Sequence, residues 1–335
     1  FQLPSTFAHI LHNAGFGDPD ELRPLVEAWE SLYDLVQPDL LLAEHGPTAI
    51  LASMAREMAR IAIGTGFTCP PDISPLPDWR PYLNNDPSQL ARDEDRVRTA
   101  INDLLTDWGE PPLVRAMELY SRLDETLLNT FAELDHFGPR KGAIYRGTAT
   151  SGIGKSFEWP RGNGPKVFGY LKPFAALEPL LANLVERKLP TVIYAPEVNP
   201  QLTNRFQSET FQFASRPIDL EMAGQWCDVA ILNATHGATA ALLLAGKPSL
   251  QIPLYLEQQL TADNVVRMGA GLTAEANRPD RAIEQLEHLL VDDRYAAAAS
   301  KFSHRYADFN RLDQIDVMVD RIERLIPQTV GGSCC

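Results

Sequence analysis

The chain is 335 residues long, 44% hydrophobic and 22% charged, with a formal net charge of −14. That is enough chain for two domains with their own cores, in a composition typical of globular proteins. The acidic balance argues against a nucleic-acid backbone as main partner, because phosphate chains need basic surface; it does not exclude a small nucleotide held by one helix end. The longest purely apolar runs, such as 240–245, are far too short to cross a bilayer, and no signal-peptide pattern is visible. Cys69, Cys227, Cys334 and Cys335 form no C-x-x-C pair, so a reduced cytoplasmic protein without bound metal is expected.

In chain order, the first sixteen residues carry His9 and His12 three apart, a spacing that suits a frayed helical face better than a metal or base site. Asp18-Pro19-Asp20 has a metal-site D-x-D spacing, but it opens a helix, and an N-cap with an acidic first turn explains it. Leu22, Leu25, Val26, Trp29, Leu32, Tyr33 and Val36 recur at 3–4 spacing as the core face of that helix, over 21–37. Pro38 stops it. A strand over 39–43 ends in Glu44-His45-Gly46-Pro47-Thr48, followed by a helix over 49–60 and a strand over 61–64. Residues 69–87 are Pro-rich and irregular. Helices are expected over 88–107 and 113–125, and short strands over 127–131 and 143–146.

The run from Ala149 to Ser156 fits the loose phosphate-loop pattern. That loop must open a helix, and the Pro and Gly density from Phe157 to Pro165 forbids one. The stretch 151–165 therefore reads as a linker. Strands follow over 167–170, 191–194 and 211–213, with the loop Leu171-Lys172-Pro173 after the first and a helix over 176–188.

The most informative stretch is 228–271. A strand over 228–232 meets a small polar turn, Asn233-Ala234-Thr235-His236-Gly237. A helix over 238–245, apolar all round and hence buried, is stopped by Gly246 and Pro248. A strand over 249–252 leads through Pro253 to Glu257, Gln258 and Gln259, which open another helix. This is a parallel βαβ unit, and in such sheets ligands sit off the carboxyl ends of the strands. The turn suits an anion: the helix start carries unpaired N–H groups and partial positive charge, with Thr235 as N-cap and His236 and Thr239 as further donors. From spacing alone, an ordinary turn with no ligand is an equal alternative. Beyond Gly271, helices are expected over 279–290, 295–301 and 306–325, and a disordered tail over 328–335.

Most of the chain, roughly 38–325, resembles the GT-B glycosyltransferases of the UDP-glycosyltransferase and MurG-like group. Their run H-G-G-x-G-T-T, apolar helix, A-G-x-P, strand, P-x-x-x-[DE]-Q corresponds here to Asn233 through Thr239, Ala245-Gly246-Lys247-Pro248, and Pro253 through Glu257-Gln258. Met268-Gly269-Ala270-Gly271-Leu272 is similar to the group's closing G-A-G. The resemblance implies an α/β fold with two Rossmann-like domains of GT-B type: an acceptor-side domain over 1–150, the linker 151–165, a nucleotide-sugar domain over 166–305, and a helix over 306–327 returning to the first domain. The group's opening unit, with a Gly-rich loop and a catalytic His, has no counterpart, so the first domain reads as incomplete. Glu44 stands where relatives carry an Asp that orients that His.

By the same resemblance, Asn233, Thr235, His236, Gly237, Ala238 and Thr239 would hold the donor diphosphate, with Lys172 as counter-charge. Arg216 and Ile218 would meet the nucleobase, and Glu257 and Gln258 the sugar. The group's first His is Asn233 here and its Gly-Gly is Ala234-Thr235, so Cβ atoms narrow the space beside the phosphate. The implied activity is inverting transfer of a hexosyl group from a UDP- or dTDP-sugar, without an essential metal or other cofactor, to an acceptor the residues do not specify. Two other functions stand beside it. One is a non-catalytic nucleotide-sugar-binding protein or degenerate subunit, motivated by the altered turn. The other is a nucleotide-sugar epimerase, whose own acid and base have no evident place here.

Overall fold

The computed structural model of the chain describes residues 1–149 and 154–326. Residues 151–153 of the expected linker, with most of the phosphate-loop-like run before Gly154, lie outside the described residues, as does the expected tail over 328–335. Contacts divide the chain into two units. The first comprises Phe1–Asn129, Arg140–Arg146 and the chain from Leu312 on; the second comprises Thr130–Pro139 and Gly147–Arg311.

The first unit opens with α1 (Phe7–Leu11), which runs into a π turn kinked at Gly15. In α2 (Pro19–Val36), the Asp18 carboxylate accepts the Asp20 N–H, so the D-x-D run is a helix cap as expected. β1 (Leu40–Ala43), α3 (Pro47–Ser53), β2 (Ala59–Gly64), α4 (Pro87–Asp107), α5 (Glu118–Ser121) and β3 (Glu125–Leu128) follow. The three strands form a parallel sheet in the order β1-β2-β3.

Four local expectations are corrected. His9 is 4% exposed, not on a frayed face: its Nε2–H donates to Asp93 Oδ2 at 3.2 Å while Nδ1 accepts the Ser5 N–H at 3.0 Å. α3 ends at Ser53 rather than near 60, because the Arg60 guanidinium takes the Ser53 carbonyl (Nε, 3.1 Å) and so caps the helix from the following strand. The helix expected over 113–125 is reduced to α5. Its first residues are held instead by Asn102, which accepts the Leu113 N–H at 2.7 Å and donates to the Leu113 carbonyl at 3.0 Å. The expected strand over 143–146 is a single bridge, Tyr145 to Leu128.

The second unit contains β4 (Val167–Tyr170), α6 (Leu177–Glu186), β5 (Thr191–Tyr194), α7 (Pro200–Phe206), β6 (Phe211–Ala214), α8 (Leu220–Trp226), β7 (Val229–Leu232), α9 (His236–Leu244), β8 (Ser249–Gln251), α10 (Leu256–Arg267), β9 (Gly271–Thr273), α11 (Pro279–Val291) and α12 (Asp293–Arg305). Its six strands are all parallel, in the order β6-β5-β4-β7-β8-β9. Strand alternation sorts the core into two layers. Val167, Ile193, Val229 and Ile231 pack with Leu180 and Leu184 of α6 and Leu286 of α11. Phe168, Val192, Ala230 and Leu232 pack with Ala223 of α8 and Leu242 of α9. Each large apolar side chain buried this way contributes about 1.5–3 kcal/mol. α12 is longer than the expected 295–301, because the Asp292 carboxylate caps it through the Arg294 N–H.

The last helix, α13 (Arg311–Leu325), belongs to the first unit. It lays Met318, Ile315 and Ile322 against Ile61 of β2 and Leu127 of β3. No helix among the described residues is long and apolar enough to cross a membrane.

Candidate functional site

β4 and β7 are neighbours at the centre of the second sheet, and the chain leaves them in opposite directions, from β4 to β5 and from β7 to β8. Such a switch point separates the loops at the carboxyl ends and is where open α/β sheets bind ligands. The loops that meet here are 171–173 and 233–235.

Asn233, 2% exposed, ties them together. Its Oδ1 accepts the Lys172 N–H at 2.6 Å, and its Nδ2 donates to the Ile252 carbonyl at 2.9 Å. One amide thus joins the loops after β4, β7 and β8, with both polar ends used inside the fold. Ala234 follows in the left-handed region, φ 56°, with its methyl fully buried. A residue with a Cβ pays roughly 1–2 kcal/mol there.

Thr235 occupies the N-cap of α9, as its place in the sequence predicts, yet its hydroxyl makes no cap bond. Oγ1 is buried without a partner among the described residues. The first intrahelical bond runs from Thr239 N–H to Thr235 carbonyl at 3.0 Å, so the N–H groups of His236, Gly237 and Ala238 precede the ladder. Six of the nine residues of α9 are buried, which fixes the direction of its dipole.

The side chains around this turn are engaged in different ways. His236 Nε2 lies 2.7 Å from Thr130 Oγ1. The Thr130 hydroxyl donates to the Phe131 carbonyl at 3.3 Å, so its oxygen accepts from the His236 Nε2–H. Burial pushes the His236 pKa down to about 4, and the ring is neutral at pH 7. Thr239 is fully buried and its hydroxyl turns to Gln251 Oε1, at 3.5 Å. Ala238 is buried. Lys172 Nζ pairs with Glu197 at 3.3 Å on the surface, a solvent-screened contact that contributes little.

At the start of α10, Glu257 is partly buried in the first turn. Gln258 is 2% exposed: its Oε1 accepts the Leu254 N–H at 2.8 Å, while its Nε2 is buried without a partner among the described residues. Past β6, Arg216 is exposed and Ile218 is buried in the core. Lys155 bridges this edge, donating to the Pro217 carbonyl at 2.8 Å and accepting from the Asp219 N–H at 3.2 Å. Gly154 makes the approach possible, since a Cβ there would stand 2.0 Å from the Ile218–Asp219 peptide. Glu44, in the first unit, is exposed after β1 and has no hydrogen-bond partner among the described residues.

Sequence reading missed the segment Thr130–Pro139, which belongs to the second unit. Besides the Thr130 contact, His136 Nε2–H donates to Thr261 Oγ1 at 3.1 Å, and Asn264 Nδ2 donates to the Asp135 carbonyl at 3.2 Å. The segment therefore braces the first turns of both α9 and α10. No local pattern announces this, because its partners are more than a hundred residues away.

The sequence matches no family model, and no curated relative matches it. Solved structures do match. CalG4, the calicheamicin glycosyltransferase, superimposes with a TM-score of 0.67 at 16% identity, over 92% of this chain and 79% of its own. The fold is GT-B. The glycosyltransferase of kitacinnamycin matches with a TM-score of 0.65 at 17% identity, over 97% of this chain and 85% of its own. The spinosyn rhamnosyltransferase SpnG, complexed with thymidine diphosphate, gives 0.62 at 16% identity, over 90% and 78%. At these identities the likeness is one of fold, and the α/β GT-B architecture expected from the sequence is the one observed. In this GT-B frame, the turn at α9 and the start of α10 lie off the carboxyl ends of neighbouring parallel strands.

Proposed function

We propose that the chain transfers a sugar from a nucleoside-diphosphate donor, dTDP- or UDP-linked, to an acceptor hydroxyl. One observation carries the reading. Two buried polar atoms, Thr235 Oγ1 and Gln258 Nε2, have no partner among the described residues, at the starts of the two helices that follow β7 and β8. Buried polar atoms left unpaired cost about 1–3 kcal/mol each, and a bound ligand offsets that cost. The fold shared with glycosyltransferases, SpnG among them seen with thymidine diphosphate, supports the same choice.

In this reading the diphosphate rests on the N–H groups of His236, Gly237 and Ala238, with the Thr235 hydroxyl as a further donor. Lys172 leaves Glu197 to balance the charge of the leaving group. Gln258 Nε2 and Glu257 hold hydroxyls of the donor sugar. Ile218 and Arg216 border the nucleobase. Asn233, Thr239 and His236 shape the turn from within: Asn233 fixes the loops, and His236 fixes the bracing segment. Transfer is a direct displacement with inversion at the anomeric carbon, and no metal is assigned to the leaving group. Cys227 is a buried free thiol and Cys69 is buried, and we place the reaction in the reducing cytoplasm.

The test is release of nucleoside diphosphate from dTDP-glucose and UDP-glucose with alcohol and phenol acceptors, with the product anomer read by NMR. Acceptor-dependent release and an inverted anomer are expected. Binding of nucleotide sugar without release would favour the second reading, a non-catalytic binder, which the strained Ala234 turn motivates.

A further inference from the structure

We propose that His136 is a positioning residue: through Thr261 it sets the first turn of α10 against the first turn of α9, so that the sugar and the diphosphate of one donor are held in register. The proposal rests on the glycosyl-transfer reading above and names what fixes the spacing of its two donor subsites.

α9 and α10 begin after different strands, β7 and β8. A helix's own hydrogen bonds do not dictate how its start lies against that of a neighbour. One segment, Thr130–Pro139 of the same unit, reaches both. Apolar side chains anchor it. Phe131 and Leu134 are buried with Ala240 and Leu243 of α9, Val265 of α10 and Phe302 of α12, and the Phe131 and Phe302 rings meet edge-on at 5.2 Å.

Two hydroxyl relays join this anchored segment to the helices, one to each. From α9, the His236 Nε2–H donates to Thr130 Oγ1 at 2.7 Å, and that hydroxyl donates to the Phe131 carbonyl at 3.3 Å. Toward α10, the His136 Nε2–H donates to Thr261 Oγ1 at 3.1 Å, and that hydroxyl donates to the Glu257 carbonyl at 3.1 Å. Each hydroxyl commits its proton to a carbonyl, so each oxygen is an acceptor and each histidine is held with Nε2 protonated. The two rings lie 6.1 Å apart, so the relays run side by side. A third bond, from Asn264 Nδ2 to the Asp135 carbonyl at 3.2 Å, secures α10 further along.

Both relays act on the turns that carry the donor subsites. His236 is the first residue of α9, and Glu257, whose carbonyl ends the second relay, stands beside Gln258 in the first turn of α10. His136 is 6% exposed and Thr261 is fully buried. Polar groups are costly at such depth unless their bonds are made, and Phe131 and Leu134 already hold the segment by packing. What the polar pair adds is a fixed direction and distance. The anomeric carbon of a bound donor lies between the diphosphate and the sugar hydroxyls. A misplacement of about 1 Å can slow a reaction about 100-fold. Loosening the start of α10 therefore leaves the diphosphate subsite intact and spoils the alignment of the sugar.

The test uses the full chain and three variants. Thr261→Val keeps the volume and the branching at Cβ but removes the hydroxyl; Thr261→Ser keeps the hydroxyl; His136→Phe keeps a buried ring but removes the donor. Calorimetric titration compares dTDP with dTDP-glucose and UDP with UDP-glucose, and the pair that the wild type binds more tightly serves as reference. Turnover is read as release of the nucleoside diphosphate with 2-chloro-4-nitrophenol as acceptor. In Thr261→Val and His136→Phe, affinity for the bare nucleoside diphosphate should stay within about twofold of wild type, while affinity for the nucleotide sugar falls at least about fivefold and kcat falls about 10- to 100-fold. Thr261→Ser should stay within about threefold of wild type in all three. A purely structural role would lower the melting temperature and leave the ratio of the two affinities and kcat unchanged. That result, equal weakening of both ligands, or a Thr261→Ser that behaves like Thr261→Val, would overturn the assignment while leaving glycosyl transfer standing. Wild-type binding without turnover would overturn transfer alone, and the affinity ratio would still decide for or against His136. Binding of none of the four ligands by the folded wild type would overturn the donor reading and the positioning role with it.

Discussion

Asn233 and Lys172 are joined by a 2.6 Å hydrogen bond from the Lys172 N–H to the Asn233 side-chain oxygen, and this bond closes the switch point of the second sheet. The same amide holds the Ile252 carbonyl. Where the resembling enzymes carry a histidine, this chain carries a buried clamp.

Replacing Asn233 by Leu fills the volume but strands both backbone partners. Each stranded group costs about 1–3 kcal/mol, so urea unfolding should report a loss of about 2–5 kcal/mol. A loss below about 0.5 kcal/mol would mean that the clamp carries no stability.

Gln258→Glu separates the two jobs of that side chain. The glutamate retains an oxygen for the Leu254 N–H but lacks the unpartnered Nε2 donor. Affinity for dTDP-glucose or UDP-glucose should fall about 10- to 100-fold, one hydrogen bond's worth, while affinity for the bare nucleoside diphosphate stays unchanged. Equal weakening of both would move Gln258 away from the sugar.

The His236 pKa, lowered to about 4 by burial, makes stability depend on acid. The unfolded chain binds this proton near 6.5 and the folded chain only near 4. The unfolded state therefore holds more protons between those values, and stability present above 6.5 is lost as pH falls toward 4. His236→Gln should flatten the stability profile in that window, by on the order of 2–3 kcal/mol. Parallel profiles for the two proteins would show that the ring is not held neutral.

His9 and Asp93 form the corresponding internal contact of the first unit, both nearly fully buried. Asp93→Leu leaves the His9 Nε2–H and the Gln89 amide without their acceptor. Thermal and urea unfolding should show a loss of about 2–4 kcal/mol, with dTDP affinity unaltered. A dTDP affinity that falls in step with stability would contradict the structural role.

The parts of this molecule legible in its sequence are those built from neighbours. The helix over 236–244 is apolar on all sides and bounded by Gly246 and Pro248, so its existence, burial and N-cap could be read directly. The strand–helix alternation that gives the second sheet is of the same kind. What could not be read depends on distant partners. The Thr130–Pro139 segment has no periodicity of its own and is placed by Thr130, Asp135 and His136 meeting α9 and α10. His9 reads as surface until Asp93, 84 positions later, is brought beside it. At the turn, spacing located the residues but not the use of their side chains: Asn233 and Thr239 turn inward, while Thr235 and Gln258 keep unpartnered polar atoms.

The central claim is that a nucleoside diphosphate sits on the first turn of α9. Calorimetric titration of the full chain with dTDP, beside Gly237→Asp, tests it most directly. An acidic residue in a helix's first turn suits the dipole, so the variant keeps its fold, but its carboxylate occupies the phosphate position. The account predicts that the wild type binds dTDP and that the variant binds at least about tenfold more weakly, at an unchanged melting temperature without ligand. Equal dTDP affinity in the two proteins, or no binding by the folded wild type, would contradict it.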